Sequence, residues 1–419
     1  MSGRLSLFEA FGIEIEYMIV DAATFDVRPI CDRLFTAVAG GFVDEIERGP
    51  IAWSNELARH VVELKTNGPA RALDGLHEAF AADVRAIDEV LARFRARLLG
   101  TGMHPWMLPH ELELWPGGQN EVYESFDRIF GCKGHGWANL QSVHINLPFA
   151  DDDELTRLHR AIRLLLPMLP ALAASSPICE GRRAGWLDYR MEVYRHNADR
   201  VPSIAGNVVP EDITGEADYQ RVILAPMYRD IAALDSLGVL QEEWLNSRGA
   251  IARFDRHAVE IRVVDCQECP RADLAIVEAV VAVLRTLVAR MPSQALPTAA
   301  APAQPGSSQP GASQHGTEAL AQVFLATIRD AEAALLPADY VHALAGIDRA
   351  LPAGELWARL LDGVTLSRAA GDALDVLLRQ GPLARRILRA APAEAGRGAL
   401  ERVYHGLADC LRGNALFQP

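Results

Sequence analysis

At 419 residues, of which 50% are hydrophobic, the chain can bury one large core or two ordinary ones. Its 41 Lys and Arg against 55 Asp and Glu give a formal net charge of -14, which excludes proteins that bind nucleic acid or anionic membranes through general positive charge. No apolar run is long enough for a membrane span, and no signal-peptide pattern opens the sequence. The cysteines are scattered, as is typical of reduced thiols. We therefore expect a cytoplasmic enzyme.

The first predicted strand is FGIEIEYMIV at residues 11–20, where apolar and polar side chains alternate over most of its length. Glu14 and Glu16 are two residues apart, so both carboxylates leave the same face. Paired carboxylates repel each other or share a cation, and their oxygens suit Mg²⁺. The solvated face of an edge strand gives the same pattern, so the pair alone leaves both interpretations open.

Glu56 and Glu63 follow in the run NELARHVVELKTNGP. Their spacing places both on one side of a helix, or places Glu63 on a strand that follows a short helical turn. A surface carboxylate paired with Lys65 is the ordinary alternative.

Several elements are predicted in the next part of the chain. Apolar residues at helical spacing predict an amphipathic helix at 70–99, closed by Gly100. A loop-rich segment at 101–136 precedes a strand at 140–147 and a helix at 152–174.

Two later strands carry polar side chains on one face. In SVHINLPF, Ser142, His144 and Asn146 share a wholly polar face. A histidine there can bind a metal or a phosphate oxygen, although a simply exposed side chain gives the same pattern. In AVEIRVVD, Glu260 and Arg262 share a face, where they either pair with each other or hold a metal and a phosphate.

The composition changes sharply after a predicted helix at 272–290. Residues 292–316 are rich in Pro, Ala, Ser and Gln and cannot bury a core, which predicts a linker or disordered loop. Residues 317–419 have helical periodicity that predicts about four short helices. We therefore predict a catalytic domain at 1–291, a linker at 292–316 and a helical C-terminal subdomain at 317–419.

Two smaller patterns allow other interpretations. Cys266 and Cys269 form a C-x-x-C pair, and Cys132 with His135 forms a C-x-x-H pair. Together they would supply four zinc ligands, but structural thiols or a redox pair fit the same residues. His104, in GTGMHPW, is expected to shape a turn beside the site or to contact the substrate.

At least three strands thus place acidic, histidine or arginine groups on one face, which is costly unless a cation and a polyphosphate neutralise them. Several motifs, taken in order, resemble glutamate–cysteine ligase family 2, also called the carboxylate–amine ligases. They are GIEIEYMIVD, NELARHVVELKT, GTGMHPW, SVHINLPF, LPALAASSP with a downstream arginine, and VEIRVVD. The resemblance covers residues 12–290.

The resemblance implies an α+β fold like the catalytic domain of glutamine synthetase. Its curved, mainly antiparallel sheet would carry helices on the outer face and hold ATP and Mg²⁺ on the concave face. The implied reaction has two steps: a substrate carboxylate takes the γ-phosphate of ATP, and an amine then displaces phosphate from the acyl phosphate. The partners would be small-molecule carboxylates and amines, amino acids among them, and an exposed sheet edge is compatible with a homodimer.

The resemblance also implies roles for individual residues. The implied metal ligands are Glu14, Glu16, Glu56, Glu63, His144 and Glu260. Arg262 would contact the phosphates of ATP, and His144 would also contact this cofactor. Arg190, in GWLDYRMEVY, matches the arginine that lies near the transferred phosphoryl group or the acceptor carboxylate.

Three features depart from the family pattern. The family usually has two alternating histidines where this chain has Ser142 and His144. No segment of the N-x-W-x-A-x-x-G kind follows the last strand, and residues 111–136 have the Trp, Gly and Pro content of a substrate-specific lid. Two alternatives to a ligase are a non-catalytic relative that binds a nucleotide or amino acid, and a phosphotransferase that uses the same site.

Overall fold

The computed structural model describes residues 4–117, 120–291, 316–391 and 396–419. They form a mixed α+β structure with one large antiparallel sheet, which confirms the predicted fold class. The predicted linker at 292–316 lies almost wholly outside them, so the domain boundaries stay predictions. No helix in the described ranges is long and apolar enough to cross a membrane.

The strands form one main sheet and two small ones. In chain order they are β1 (Gly12–Asp21), β2 (Glu45–Arg48), β3 (Ile51–Asn55), β4 (Val61–Thr66), β5 (Ala96–Leu99), β6 (Ser142–Pro148), β7 (Ile178–Cys179), β8 (Arg182–Arg183), β9 (Ala250–Arg253), β10 (Ala258–Asp265), β11 (Leu335–Leu336) and β12 (Leu351–Pro352). The main sheet has the order β2-β3-β4-β1-β6-β10-β9, and β5 pairs with the second half of β1. All of these pairings are antiparallel.

Helices lie on both faces of the main sheet. In chain order they are α1 (Cys31–Ala39), α2 (Leu76–Leu91), α3 (Asn120–Phe130), α4 (His135–Ala138), α5 (Asp152–Leu165), α6 (Pro170–Ala173), α7 (Tyr189–Tyr194), α8 (Glu216–Tyr219), α9 (Ala225–Ile231), α10 (Pro270–Arg290), α11 (Thr317–Asp330), α12 (Ala338–Ala345), α13 (Ala353–Leu360), α14 (Arg368–Gln380), α15 (Leu383–Ala390) and α16 (Arg397–Gly413).

β1 lies at the centre of the sheet and separates its two faces. Ile13, Ile15 and Ile19 are fully buried in the main core, to which α2, α5 and α10 also contribute. Tyr17 points the same way, and its hydroxyl donates a hydrogen bond to Asp273 of α10 at 3.0 Å. The alternation of a strand therefore leaves the glutamates of β1 on the face away from these helices.

The predicted helix at 70–99 is wrong in its last part. α2 ends at Leu91, and Arg95 has a φ of 55°, which turns the chain out of the helical path. β5 then pairs with β1, with Leu99 opposite Met18. Pairing with a strand distant in sequence overrides the local helical spacing here.

Gly100 does not end a helix but follows β5, where the chain passes close to the turn after β10. A Cβ atom there would overlap the carbonyl oxygen of Gln267 and lie 3.2 Å from Cε1 of Tyr17. Gly100→Ala should therefore lower the free energy of unfolding by about 1–3 kcal/mol, as measured by urea denaturation. The control is Gly371→Ala on α14, where a Cβ meets nothing within 4 Å and no loss of stability is expected. Equal stability of the two variants would contradict this close approach.

Two other predicted elements differ in extent. The loop-rich segment at 101–136 contains α3, and the predicted helix at 152–174 divides into α5 and α6 around a 3-10 turn. Pro167 and Pro170 lie at this division, where the missing N–H groups interrupt helical hydrogen bonding.

The C-terminal region is helical, as predicted, but its described residues form six helices rather than about four. α14 packs on α10, and α16 packs on α2 and β5. Trp357 of α13 is fully buried, and its indole N–H donates to the carbonyl oxygen of Met168 at 2.9 Å. Arg386 and Glu268 form a fully buried ion pair at 2.5 Å. α11–α14 therefore complete the main core, while most buried apolar side chains of α15 and α16 belong to a second cluster.

Candidate active site

The polar faces of four strands meet on one side of the main sheet. Glu16 of β1 lies opposite Glu63 of β4, and Glu14 lies opposite His144 of β6. On the far side of β6, β10 contributes Glu260. The antiparallel order of the strands thus makes neighbours of residues from distant parts of the sequence.

These side chains line a cavity of about 480 Å³, which we call the polar cavity. It contains every residue for which the sequence predicts a site role: Glu14, Glu16, Glu56, Glu63, His144, Arg190, Glu260 and Arg262. Glu56 reaches it from the residue after β3 and Glu63 from β4, so the strand alternative for this pair is the one observed. Arg190 reaches it from α7. The structure brings the predicted residues together, while their roles stay predictions.

The acidic end of the polar cavity carries negative charge that its neighbours do not balance. Burial and the charges of Glu16 and Glu14 raise the pKa of Glu56 to about 8. Burial and the charges of Glu14 and Glu56 raise the pKa of Glu63 well above its ordinary value. This shift occurs although Ser54 donates a hydrogen bond to Glu63 at 2.6 Å. A bound cation would remove the cost of keeping these carboxylates ionised.

His144 connects the acidic end to the neighbouring strands. Its Nδ1 lies 2.9 Å from Oε2 of Glu14, and its Nε2 lies 2.9 Å from Oγ of Ser142. Burial acts to lower the pKa of His144, but the hydrogen bond with Glu14 and the charge of Glu16 raise it to about 9. Burial also opposes ionisation of Glu14, but the hydrogen bond and charge of His144 lower its pKa to about 2. His144 is therefore hydrogen-bonded to Glu14 and would have to release a proton before it could bind a cation.

Ser142 links two of the predicted ligands. Its backbone N–H donates to Oε2 of Glu16 at 2.7 Å, and its hydroxyl lies 3.2 Å from the same oxygen. The hydroxyl also contacts His144. Where the resemblance leads one to expect a second histidine, the serine thus orients Glu16 and His144 through hydrogen bonds.

Arginine side chains occupy the opposite end of the polar cavity. Nε of Arg262 lies 2.5 Å from Oε1 of Glu260, and Nη1 of Arg253 lies 3.4 Å from Oε2 of the same residue. Burial acts to lower the pKa of Arg262, but the charge of Glu260 raises it above its ordinary value. Arg190 donates through Nε to Asp265, and its terminal nitrogens lie 3.3 Å from the carbonyl oxygen of Arg262. Arg190 is thus fixed itself and supports the backbone of Arg262.

Two overlapping groups of donor atoms fit a divalent cation. Glu14, Glu63 and His144 each offer an atom within 4.8 Å of the others, and so do Glu16, Glu56 and Glu63. Most of these donors are carboxylate oxygens, which a hard cation such as Mg²⁺ prefers. The raised pKa values of Glu56 and Glu63 indicate the same need for positive charge. The donor set therefore fits Mg²⁺, with Glu63 shared by the two groups.

Other residues of the polar cavity were not predicted from the sequence. They include Tyr123 and Phe126 of α3, Trp137 of α4, Tyr194 of α7, Trp244, Arg253 of β9 and Arg256. Arg253 had little signal, because AIAR at residues 250–253 is short and its first three residues are all apolar, without alternation. Tyr123 and Phe126 lie within residues 111–136, whose composition indicated a lid, but no spacing marked the aromatic residues individually, because only the tertiary fold positions these helices and loops.

The residues of the zinc alternative, like His104 of GTGMHPW, have structural positions. Among the described residues, the groups of side chains close enough to share a metal contain no cysteine. Cys266 and Cys269 are fully buried, and His135 instead lies 3.2 Å from Glu180. His104 is fully buried, and its Nε2 lies 2.7 Å from a backbone carbonyl oxygen, so it shapes the turn rather than the cavity.

Two solved structures share this fold. The glutamate–cysteine ligase of Francisella tularensis, crystallised in complex with AMP, matches with a TM-score of 0.57 and 13% identity over 98% of this chain and 90% of that chain. The bifunctional glutathione synthetase of Pasteurella multocida matches with a TM-score of 0.55 and 13% identity over 96% of this chain and 53% of that chain. At this level of identity the likeness shows the fold, which this chain shares with a structure titled as a glutamate–cysteine ligase.

The sequence model of glutamate–cysteine ligase family 2 matches residues 10–406. The chain belongs to this family, which confirms the resemblance and extends it through the C-terminal helices. An uncharacterized protein of Archaeoglobus fulgidus is 38% identical over 286 residues, which are 68% of this chain and 76% of that protein. A protein of Ectopseudomonas mendocina named "Putative glutamate--cysteine ligase 2" is 26% identical over 64% of this chain and 63% of its own length. The match thus spans slightly less than two thirds of that relative.

Proposed function

We propose that the protein is an ATP- and Mg²⁺-dependent ligase that joins a carboxylate to an amine through an acyl phosphate. The observation that carries this proposal is the polarity of the polar cavity, which has carboxylates and a histidine at one end and arginines at the other. Such a cavity suits a divalent cation beside a polyphosphate, because phosphoryl transfer depends mainly on positioning and charge neutralisation. Family membership and the shared fold with a ligase crystallised with AMP support a nucleotide substrate.

In this proposal, the acidic end holds the cation. The proposed ligands there are Glu14, Glu16, Glu56, Glu63 and, once it has lost its proton, His144. Glu260 is proposed as a further ligand from the neighbouring strand, where it also pairs with Arg262. When bound, Mg²⁺ neutralises phosphate oxygens and orients the phosphoryl group. Ser142 keeps Glu16 and His144 in place through its hydrogen bonds.

The arginine end holds the phosphates. The side chain of Arg262 is 21% exposed, and Glu260 orients it from a nearly inaccessible position. A planar guanidinium can donate two parallel hydrogen bonds to a phosphate, which fixes its position. Arg190 donates to the backbone carbonyl oxygen of Arg262 and lines the cavity. We assign Arg190 to the transferred phosphoryl group or the acceptor carboxylate.

The reaction needs no protein nucleophile. In the first step, a carboxylate oxygen of the substrate bonds to the γ-phosphorus of ATP as the bond to ADP breaks. In the second step, the amine nitrogen bonds to the acyl carbon, inorganic phosphate leaves and the nitrogen gives up a proton. The protein lowers the barrier by holding the reacting groups together and by neutralising charge. A γ-glutamyl amide is one product of this chemistry.

The test is to incubate the purified protein with ATP, Mg²⁺ and an amino-acid mixture, and to measure free phosphate together with the masses of new products. A condensed product formed with stoichiometric phosphate supports the ligase. A phosphorylated product without free phosphate would indicate the phosphotransferase instead. Binding of ATP in calorimetry without turnover of any substrate would indicate a non-catalytic relative, and either result would overturn the proposal.

A further inference from the structure

A second cavity of about 570 Å³ adjoins the polar cavity, and we call it the aromatic cavity. It lies between α4, α7 and the loop that precedes α7. Gly136, Trp137 and Asn197 line both cavities, so a ligand in one lies against the wall of the other. Its volume falls within the roughly 300–1,000 Å³ of small-molecule sites.

The residues that line both cavities lie in close contact with one another. A Cβ atom on Gly136 would lie 2.9 Å from Cβ of Asn197, so only glycine lets α4 approach this part of the chain. The indole N–H of Trp137 donates to the carbonyl oxygen of Asn197 at 3.1 Å. Oδ1 of Asn197 is buried and has no hydrogen-bond partner among the described residues. This buried acceptor thus belongs to a residue that lines both cavities.

The charges of the two cavities differ. The polar cavity is lined by five Lys and Arg side chains, which suit anionic groups, together with five glutamates. Within the described part of the chain no Lys or Arg lines the aromatic cavity, whose one carboxylate is Glu192 and whose lining also includes His135 and His196. An ATP phosphate or a substrate carboxylate is therefore favoured in the polar cavity and disfavoured in the aromatic one.

The aromatic cavity has the composition of a site for cations. Trp137, which stacks on Phe130 at a centroid distance of 5.5 Å, lines it together with Trp186 and Tyr189. Aromatic faces attract ammonium groups, more strongly when water is excluded. The carboxylate of Glu192 accepts two hydrogen bonds from Arg195, which leaves lone pairs for a further donor.

We propose that the aromatic cavity binds the amine substrate, and that this substrate is a primary amine with an aromatic or similarly flat apolar group. The inference rests on the proposed ligase function and specifies its second substrate. Aromatic side chains would hold the flat group, Glu192 would attract the ammonium, and Asn197 would accept from it at the junction with the polar cavity. The small side chain of cysteine would leave most of this cavity unfilled.

The test measures binding in the absence of ATP, by isothermal titration calorimetry on the full chain. The probes are phenethylamine, phenylacetate with the same ring and opposite charge, and ethylamine with the same charge and no ring. We expect phenethylamine to bind at least about tenfold more tightly than either comparator, and Trp186→Ala to weaken it about tenfold. Trp186→Phe should retain most of the affinity. Phe42→Ala removes a 52% exposed ring outside both cavities and should change nothing.

Equal binding of phenethylamine to the wild type and Trp186→Ala, or tighter binding of phenylacetate, would overturn the inference. The ligase function is tested separately on the wild type, with hydroxylamine as a small nucleophile that traps an acyl phosphate as a hydroxamate. A hydroxamate without phenethylamine binding refutes the inference alone. Phenethylamine binding without a hydroxamate, over the full amino-acid mixture, refutes the ligase function and with it the assignment of the bound amine as a substrate.

Discussion

Arg262→Ala should lower ATP-dependent phosphate release by about 10³-fold or more, because an arginine that stabilises a transferring phosphoryl group is worth at least that much. The variant also removes the partner that lies 2.5 Å from Glu260. Arg253 and His144 remain within 3.4 Å and 3.8 Å of this carboxylate, so we expect the fold to survive. Steady-state phosphate release and the circular dichroism spectrum measure the two effects.

Two further variants make the result specific. Arg262→Lys keeps the charge but loses the planar fork, so we expect activity between that of the wild type and the alanine variant. Arg359→Ala removes an exposed arginine on α13 that pairs with Glu355, and we expect unchanged turnover. Wild-type turnover in a folded Arg262→Ala protein would disprove the phosphate role.

Glu16→Gln should reduce turnover by more than about 100-fold and should also remove the stabilisation that Mg²⁺ gives. An amide keeps the shape of the side chain and can still accept from the N–H of Ser142, now 2.7 Å from Glu16. It loses the negative charge that a cation requires. In the wild type, free Mg²⁺ at about 100 times its Kd should raise the free energy of unfolding by about 2.7 kcal/mol.

Thermal and urea unfolding, each with and without Mg²⁺, measure how much of the stabilisation by Mg²⁺ the Glu16→Gln variant loses. The matched control is Glu45→Gln, which changes a half-exposed carboxylate on β2 that pairs with Lys65. We expect the control to keep both its turnover and its response to Mg²⁺. If Mg²⁺ stabilises Glu16→Gln as strongly as the wild type, Glu16 is not a ligand.

The sequence alone was sufficient to predict the site residues whose positions follow from the alternation of side chains along a strand. β1, β6 and β10 were predicted within about two residues, and their polar faces already contained Glu14, His144 and Arg262. A strand puts alternate residues on one face regardless of its partners, so the residues that share a face could be predicted without knowing how the strands pair. Strand order then turned these separate faces into one cavity.

Other features depended on contacts between distant segments. Arg253 enters the polar cavity because β9 pairs with β10, a pairing that the short run AIAR hardly indicates. β5 was hidden in a helical pattern because its partner, β1, lies far earlier in the chain. Trp186 lies on a loop whose position is set by neighbouring helices, so no periodicity marks it as part of a cavity.

The packing of the C-terminal helices on α2 and α10 bears on how the chain folds as it leaves the ribosome. All eight strands of the main sheet are synthesised before α11–α16, so apolar surface on the earlier helices stays uncovered while the later residues are being added. The buried contact of Arg386 with Glu268 can form only after α15 has been synthesised. The nascent chain should therefore need chaperone protection until α11–α16 have emerged, even though all strands of its main sheet are already made.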